Sequence, residues 1–486
     1  MLGFSEYLQN YMKTNSISMV DLSKEVDIDR TVIYRYVKGT RVPSDLNIVI
    51  RIADAIQMSV SEKRKLLREY DKLVLGESVV YSYQYIQKLL WNLEKLDMES
   101  VSMSSWRSVH ELKMDASIVE LKAKEEIITY LMDFFQFLSE QNDTDEKILL
   151  IMQPVYDEIQ RFILWNFKES NMAIEQILCM EQNVNLSYKN LEVFYEIIPL
   201  CFSLSKYDVY YYYDSLNSHI NNMMVMPNVL IAKDYVIQFD YKMERGIAVK
   251  DATYAAVMRK QYQSMLAESR SLLVRGKDPE IFSDYAAQCG NKISRCLSKQ
   301  LCMTACFDKE LLERCIYPVS GKEEFIELLL NTRGRWEGME FIDSEYETFG
   351  LVSYGNGEGM EEFMKTGRIK GIPEMLYEPL SSEERMRVLK RMILLSEHGK
   401  IHYRIISDKV ELPDKVQAYW DENRKSFVLN QVVKEEIRHI AIEEQSIYRT
   451  FQMYLEYLEK KELICSEPES FDYLVKLQRK YERKFM

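Results

Sequence analysis

Between Ile17 and Gly39 the apolar positions follow the period of an α-helix twice, with a short break between the two stretches. The apolar side chains are Leu22, Val26, Ile28, Val32, Ile33, Tyr36 and Val37. Ser18 precedes the first stretch and Asp29 the second, and both residue types accept hydrogen bonds from the free N–H groups of a first helical turn. The pattern predicts two short amphipathic helices joined by a tight turn.

Helical spacing continues on both sides of this pair. The stripe before it consists of Phe4, Tyr7, Leu8 and Tyr11, and the stripe after it of Leu46, Val49, Ile50, Ala53 and Ile56. The sequence Val42-Pro43-Ser44-Asp45 between them stops one segment and starts the next helix. With a further helix at 61–73, we expect five short helices around one small core, in a domain of residues 1–74.

Beyond this domain the hydrophobic period changes back and forth. Residues 75–100 are predicted to be a helical linker, which either pairs with its copy in a dimer or packs on the chain's own larger region. Strands are predicted at 147–156, 173–180 and 228–240, and helices at 125–140 and 252–273. The predicted fold class is multidomain, with an all-α five-helix head, a helical linker and a large mixed α+β C-terminal region.

The C-terminal region divides into two parts in this interpretation. Residues 101–316 are predicted to form a mixed α/β region for sensing or dimerisation, and residues 317–486 an α+β domain. Within the latter, the pattern predicts a hairpin over 336–359, an antiparallel meander over 400–432, and helices at 444–461 and 468–484. A period of about 34 residues is not found, which argues against a tetratricopeptide array.

Composition and charge narrow the classes of partner. The apolar fraction of 47% and charged fraction of 29% are those of a folded globular protein. The net charge is −13, yet residues 1–72 contain twelve Lys/Arg and ten Asp/Glu, so a balance of +2 there leaves −15 for the remainder. Because an acidic surface repels phosphate, any contact with nucleic acid is expected at the N-terminal domain.

The chain shows no targeting or redox signature. The first residues lack a basic segment followed by an apolar one, and no apolar stretch approaches about eighteen residues, so we expect a cytoplasmic protein without a membrane partner. Eight cysteines without CxxC spacing predict neither a disulfide framework nor a zinc site. We expect no cofactor and no metal.

Residues 4–60 resemble the phage-repressor-like Xre family of helix-turn-helix domains. The family's core positions correspond to Leu22, Val26, Ile28, Ile33 and Tyr36, the end of its recognition helix to Gly39, and its fourth helix to Pro43, Leu46, Ile52 and Ala53. Three positions depart from the family: Met19 replaces a phosphate-binding Gln, Ser23 a smaller residue and Asp27 the turn glycine. Asp tolerates the left-handed conformation, so we expect the turn to be kept and the phosphate contact of residue 19 to be lost.

The resemblance implies that helix 29–38 enters the major groove of double-stranded DNA. The exposed residues of this helix and the loop after it then become the expected DNA-binding set: Asp29, Arg30, Thr31, Tyr34, Arg35, Lys38 and Arg41. Arg30 and Arg35 suit guanine, Thr31 and Tyr34 suit base edges, methyl groups or sugars, and Lys38 and Arg41 suit phosphates. The alternative is a five-helix bundle used for protein contacts, which the concentration of positive charge on this helix disfavours.

Candidate catalytic motifs are weak. His398-Gly-Lys400 resembles the HxK of phospholipase D-type sites, but the expected aspartate is Ile405. The loop 355–359 is rich in glycine but lacks the Lys-Ser/Thr of a phosphate-binding loop and has an acidic flank, so we expect a hairpin turn there. The histidines His110, His219, His398, His402 and His439 are scattered. No catalytic residue is assigned, and we expect that the protein is not an enzyme.

Two other clusters leave a choice open. Cys289, Cys296, Cys302, Cys306 and Cys315 fall in a predicted helical region, where Cys302 and Cys306 would share one face. They form either a redox or metal sensor or, as we favour, small buried hydrophobic positions. The run Tyr207, Tyr210, Tyr211, Tyr212 and Tyr213 either lines a ligand pocket or belongs to a half-buried sheet, and the sheet is favoured.

The sequence therefore predicts a homodimeric transcriptional regulator whose C-terminal region senses a small-molecule or peptide effector or dimerises. The alternative is a cytosolic ligand-binding or enzymatic body recruited to a protein partner through a head similar to a helix-turn-helix domain. The two differ in whether the chain binds DNA in a salt-dependent and sequence-dependent way.

Overall fold

The structure is a computed structural model of the 486-residue chain. It describes residues 2–96, 116–141, 143–183, 188–215, 226–276, 294–303, 306–318, 322–323, 326, 351–421, 425–432 and 437–485. The chain divides into two compact units. The N-terminal unit comprises Met1–Ile86 and Thr450–Lys461, and the body comprises Gln87–Arg449 and Glu462–Met486.

The N-terminal unit begins with the five predicted helices. They are α1 (Leu2–Thr14), α2 (Met19–Val26), α3 (Arg30–Val37), α4 (Leu46–Ala55) and α5 (Val60–Leu75), followed by α6 (Glu77–Lys95), whose residues after Ile86 belong to the body. Ser18, Asp29, Asp45 and Ser59 each cap the helix that follows with a side-chain oxygen. The predicted helix starts therefore have local causes, since these residues satisfy backbone N–H groups that the helix itself leaves free.

One small core holds the five helices together. It contains the predicted stripe residues of α1 to α4 except Ile50, whose place is taken by the buried Ile52, and α5 adds Leu66 and Tyr70 to it. The Tyr70 ring meets the Phe4 ring edge-on at 5.9 Å, and its hydroxyl donates to the carbonyl of Pro43 at 3.2 Å. Tyr70 thereby fixes α5 to α1 and to the loop between α3 and α4.

The body contains two mixed β-sheets. Sheet A has the strand order β1-β7-β6-β5-β2-β3-β4-β8, and sheet B the order β12-β11-β10-β13-β14-β15-β9. The strands of sheet A are β1 (Ile118–Leu121), β2 (Lys147–Ile151), β3 (Ala173–Glu181), β4 (Tyr207–Asp214), β5 (Asn228–Ala232), β6 (Tyr235–Phe239), β7 (Gly246–Lys250) and β8 (Arg270–Ser271). Those of sheet B are β9 (Leu273–Gly276), β10 (Arg295–Leu297), β11 (Leu351–Asn356), β12 (Ile401–Ile406), β13 (Val416–Asp421), β14 (Ser426–Val432) and β15 (Ile437–Ile442).

The two sheets repeat one topology. In sheet A the parallel strands β2, β3 and β4 are followed by the antiparallel meander β5-β6-β7, which pairs with β2 on one side and with the early strand β1 on the other. In sheet B the strands β10, β11, β12, the meander β13-β14-β15 and the early strand β9 have the same order and the same directions. The body is thus an internal duplication at the level of topology, and β8 is an extra edge strand of sheet A.

Nine further helices accompany these sheets within the described residues. They are α7 (Lys124–Gln141), α8 (Asp157–Phe167), α9 (Tyr188–Ser203), α10 (Ala252–Glu268), α11 (Lys309–Cys315), α12 (Gly357–Thr366), α13 (Ser382–Glu397), α14 (Gln445–Lys460) and α15 (Glu467–Phe485). Helix α10 packs on sheet A through Ala255, Met258 and Tyr262, which join a buried cluster with strand residues such as Leu149 and Ile177. Helix α14 follows β15 as α10 follows β7, but its residues from Thr450 onwards belong to the N-terminal unit.

The predicted fold class is confirmed: the chain has a helical N-terminal region and a multidomain α+β architecture. Details differ from the predictions. The single strand expected at 228–240 is the hairpin β5-β6, and the expected meander over 400–432 starts only at β13, because β12 lies parallel to β11 on the far side of β10. The expected boundary at residue 316 falls within sheet B, since β9 and β10 pair with strands that follow residue 350.

Some predictions concern residues outside the described ones. They are most of the hairpin over 336–359, the end of the linker beyond residue 96, Cys289, His110 and His219. Within the described part of the chain, no helix is both long and apolar enough to cross a membrane.

Candidate nucleic-acid interface

Helix α2 begins at a serine that caps its free N–H groups and ends at an aspartate in the left-handed conformation. The Ser18 hydroxyl oxygen accepts from the backbone N–H groups of Val20 at 3.1 Å and Asp21 at 3.2 Å. At the other end Asp27 has φ 49° and ψ 52°, the left-handed conformation, and its N–H donates to the carbonyl of Ser23. The substitution of Asp for the usual turn glycine therefore keeps the turn, because Asp is among the side chains that adopt this conformation most readily.

The turn between α2 and α3 is held by two side chains whose role the sequence pattern does not reveal. The Ser23 hydroxyl donates to the carbonyl of Ile28 at 2.6 Å, and an Arg51 guanidinium N–H from α4 donates to the carbonyl of Val26. From the sequence, Ser23 is identified only as a departure from the family, and no role is assigned to Arg51. Both satisfy carbonyl groups of the turn and thereby fix the angle between α2 and α3.

Asp29 begins helix α3. Its carboxylate accepts from the backbone N–H of Thr31 at 2.8 Å. Hydrogen bonds from the side chain and backbone of Thr31 hold the pKa of Asp29 below its ordinary value. Asp29 is thus oriented toward the first turn of α3, which it caps, and its contact with DNA remains a prediction.

The two faces of α3 have opposite characters. Ile33, Tyr36 and Val37 are buried in the core of the unit, where Leu22 and Val26 of α2 also lie. All seven residues of the predicted DNA-binding set are exposed, namely Asp29, Arg30, Thr31, Tyr34, Arg35, Lys38 and Arg41. The structure therefore places the whole set on solvent-facing positions of α3, of its N-cap and of the loop that follows it.

The exposed cations of this set lie beyond ion-pair distance from every carboxylate that the structure describes. Within the described residues, Arg30, Arg35, Lys38 and Arg41 form no ion pair shorter than 4 Å. Tyr34, between them on the helix, is 49% exposed, which is high for an aromatic side chain without a packing role. An unpaired cation retains its full attraction for a phosphate or a guanine edge.

Met19 lies where related domains place a polar contact. It is the first residue of α2 and is partly buried against the core of the unit. Its thioether has no N–H to offer to a phosphate oxygen. The predicted loss of this phosphate contact follows from the residue type, and Lys38 and Arg41 remain predicted phosphate ligands.

This arrangement of a capped helix, a locked turn and a second helix with a cationic outer face defines a helix-turn-helix DNA-binding domain. Residues 7–62 match the Cro/C1-type HTH DNA-binding domain. The N-terminal segment is therefore a Cro/C1-type domain, which confirms the resemblance to the Xre family. No curated protein matches the chain.

One solved structure similar to this chain is that of TrmBL2, described as an archaeal chromatin protein with a novel mode of DNA binding. The match covers 51% of this chain and 84% of that one, with 9% sequence identity and a TM-score of 0.23. That TM-score is below the level of a shared fold.

The glycine-rich loop is not the predicted hairpin turn. Strand β11 runs to Asn356 and α12 begins at the next residue, so the loop joins a strand directly to a helix. The N-terminal amides of α12 are already bonded: Asn356 accepts from Gly359 N–H at 2.9 Å and Asp408 from Glu358 N–H at 3.2 Å. Gly359 is needed because a Cβ there would collide with the carbonyl of Lys299. These glycines allow close packing of strand and helix.

The cysteines do not lie on one helix as predicted. Cys296 is on β10, Cys302 and Cys306 are outside regular α-helix, and only Cys315 ends a helix, α11. The Cys296 thiol lies 3.7 Å from the Ser353 hydroxyl, and a hydrogen bond with Cys302 together with burial raises its pKa. Burial likewise raises the pKa of Cys315 to about 11. Thiols with raised pKa values remain protonated, and a protonated thiol is a poor metal ligand or nucleophile.

The tyrosine run lies on β4 and alternates between the two faces of sheet A. Tyr207 is buried and donates to Gln176 at 2.6 Å, whereas Tyr213, near the end of the strand, donates to Glu444.

Among the described histidines, His398 lies at the end of α13, His402 is 3.2 Å from Glu467, and burial lowers the pKa of His439 to about 4. The described residues contain no group of three or more His, Cys, Asp or Glu arranged to bind a metal.

Proposed function

We propose that this protein is a homodimeric, sequence-specific DNA-binding regulator of transcription that reads the major groove with helix α3. The observation that carries the proposal is the exposed, unpaired set of cations on and after α3, within a Cro/C1-type domain. Arg30 and Arg35 contact base edges, Thr31 and Tyr34 contact bases or sugars, and Lys38 and Arg41 contact phosphates. A cytoplasmic location belongs to this proposal, because a regulator must reach the chromosome.

The body has a regulatory role in this proposal and no enzymatic one. It binds a small-molecule or peptide effector, or it holds two chains together so that two α3 helices meet half-sites about 34 Å apart. Its duplicated α/β sheets support a sensing role, since sheets of this kind bind ligands beyond the carboxyl ends of their parallel strands. Native mass spectrometry of the full chain measures the subunit number and any retained small molecule.

The test of DNA recognition uses the full chain and a pool of random duplexes. Repeated selection should enrich one motif with two-fold symmetry, and the selected duplex should lose affinity steeply as salt is raised, because binding releases counterions from phosphates. A chain whose head only recruits a protein partner would enrich no motif and show no such salt dependence. That outcome would overturn the proposal.

A further inference from the structure

The start of α14 is a hydrogen-bonded joint around one buried carboxylate of the body. Glu444, directly before the helix, is only 1% exposed, and its carboxylate accepts from the backbone N–H groups of Ser446 at 3.1 Å and Ile447 at 2.7 Å. The Ser446 hydroxyl donates to it at 2.7 Å, and the Tyr213 hydroxyl of β4 is a further donor. Glu444 therefore caps α14 and at the same time ties its first turn to the end of β4.

The same joint reaches strand β3. Asn190 of α9 donates to the Ser446 hydroxyl at 2.8 Å and to the carbonyl of Glu181 at 3.0 Å, and it accepts from the Glu181 N–H at 2.6 Å. Glu181 is the last residue of β3, and Asp214 is the last residue of β4. We name Tyr213, Asn190, Glu444 and Ser446 the cap joint. It is tied to the carboxyl ends of two neighbouring parallel strands, the side of such a sheet where ligands bind.

The other end of α14 is part of the N-terminal unit. The Tyr457 ring stacks on the Tyr83 ring of α6 with 4.1 Å between centroids, and its hydroxyl lies 3.3 Å from the carboxylate of Asp71 in α5. Lys461 donates to the same carboxylate at 2.7 Å. Asp71 is only 8% exposed, so this paired carboxylate is costly to separate from its partners.

Helix α10, at the equivalent position after the first meander, provides the contrast. Its cap, Asp251, accepts from the backbone N–H of Tyr254 at 2.7 Å, and its buried residues pack on sheet A itself. Helix α14 instead has a cap bonded to β4 and α9, and a second half that packs within another unit. Helices α10 and α14 thus follow equivalent strands of the two sheets, but the contacts at their ends differ.

We propose that α14 carries the state of the carboxyl ends of β3 and β4 to the helix-turn-helix domain, and that the cap joint is its control point. This rests on the proposed DNA-binding function. A ligand that moves either strand end must break or strengthen bonds to a buried carboxylate, and a helix that loses its cap frays from that end. Because α14 is one continuous helix, a change at Glu444 alters the contacts of its second half with Asp71 and Tyr83.

The test compares full-chain variants Glu444→Ala and Tyr213→Phe with Asp251→Ala, the matched cap of α10. Hydrogen exchange of peptides covering 450–461 and 66–86 reports on the far end of α14 without DNA, and fluorescence anisotropy with the selected duplex reports on binding. We expect both cap-joint variants to exchange faster in these peptides and to bind DNA at least threefold more weakly. Asp251→Ala should change exchange only around α10 and keep affinity within twofold.

Two outcomes would overturn the inference. The first is unchanged exchange in 450–461 and 66–86 for Tyr213→Phe, which removes one hydroxyl and should fold even where Glu444→Ala does not. The second is faster exchange there while DNA affinity stays within twofold of the wild type. Failure of the wild-type chain to bind any duplex would instead contradict the proposed function, and the exchange data would still decide whether the joint controls α14.

Discussion

Helix α3 and the body differ in how their cationic side chains are paired. On α3 and the loop after it, four cations are exposed and have no carboxylate within ion-pair distance among the described residues. In the body Lys299 lies 3.1 Å from Asp414, and Lys370 lies 2.8 Å from Glu362. Lys299 and Lys370 of the body thus take part in internal structure, whereas the cations of α3 remain available to an external anion.

Net charge reinforces this difference. Residues 1–72 have a balance of +2 within a chain of −13, so the remainder repels a polyanion. A negative overall charge is therefore compatible with DNA binding when one small domain carries the cations. The comparison predicts that substitutions on α3 affect DNA binding while equivalent substitutions in the body do not, and that the two units respond differently to mutation and pH.

The largest expected effect comes from the core of the N-terminal unit. Ile33 is fully buried at the centre of α3, so Ile33→Ala should destabilise the unit by about 2–5 kcal/mol through lost burial and a cavity. Hydrogen exchange should rise in peptides covering 19–56 and stay unchanged in β2 and β3. Ile33→Val, with one methyl group fewer, is the control, and a uniform rise in exchange over both units would contradict the separation.

Acid should affect the body through His439. Its pKa is about 4 in the folded chain and about 6.5 when unfolded, so the unfolded chain binds a proton between these values that the folded body does not. Stability is therefore full above pH 6.5 and falls by up to about 3 kcal/mol as the pH drops to 4.

Chemical denaturation of the body at pH 7 and pH 4.5 measures this loss, and His439→Gln should reduce it. The N-terminal unit is the internal control. This unit contains no histidine, so no imidazole titrates in it between these pH values. An identical acid response in His439→Gln and the wild type would contradict the assignment.

The next largest effect is expected on DNA affinity, from the removal of a single cation on α3. Arg35→Ala should weaken binding of the selected duplex by about 1–3 kcal/mol at fixed salt, because it removes a base or phosphate contact. Arg479→Ala on α15 removes the same charge from an exposed position of the body and should leave affinity unchanged. Equal losses for the two variants would mean that binding follows net charge and not a surface formed by α3.

The smallest effect is expected at the turn. Asp27 has φ 49°, so Asp27→Gly relieves the cost of a left-handed side chain, and the stabilisation should be at most about 1 kcal/mol, since glycine also gains entropy when unfolded. Asp27→Ala should have the opposite sign. Thermal unfolding of the full chain, with hydrogen exchange in peptides covering α2 and α3, measures the stability of both variants. Stabilisation by Asp27→Ala would contradict the role assigned to the turn.

Local pattern was sufficient for most of the N-terminal unit. Ser18 and Asp29 could be recognised as caps, and the spacing from Leu22 to Val37 as two helices, because each depends on residues within a few positions of one another. Ser23 and Arg51 could not be assigned, since their acceptors lie across the turn or on another helix. The predicted DNA-binding residues are all exposed in the structure, and their contacts with bases remain predictions.

In the body, the pattern showed where strands lie but not how they pair. The strand predicted at 228–240 conceals a turn at Lys233, whose φ is 51°, and the parallel pairing of β12 with β11 has no local signal. The duplication has no constant period in the sequence, because the connection from β10 to β12 is far longer than that from β2 to β4. The hairpin expected at Gly355–Gly359 is wrong because Gly359 lies against the carbonyl of Lys299 and Gly355 against the backbone of Leu301, both distant in sequence.

The class of the N-terminal domain, its helix starts and the exposure of its cations follow from the chain alone, because helix capping and amphipathic spacing act over one or two turns. The folded structure was needed to show that two sheets share one topology, that Glu444 accepts a hydrogen bond from β4, and that the second half of α14 contacts Asp71 and Tyr83. These features depend on contacts between residues hundreds of positions apart, which folding brings together and which leave no periodic trace along the chain.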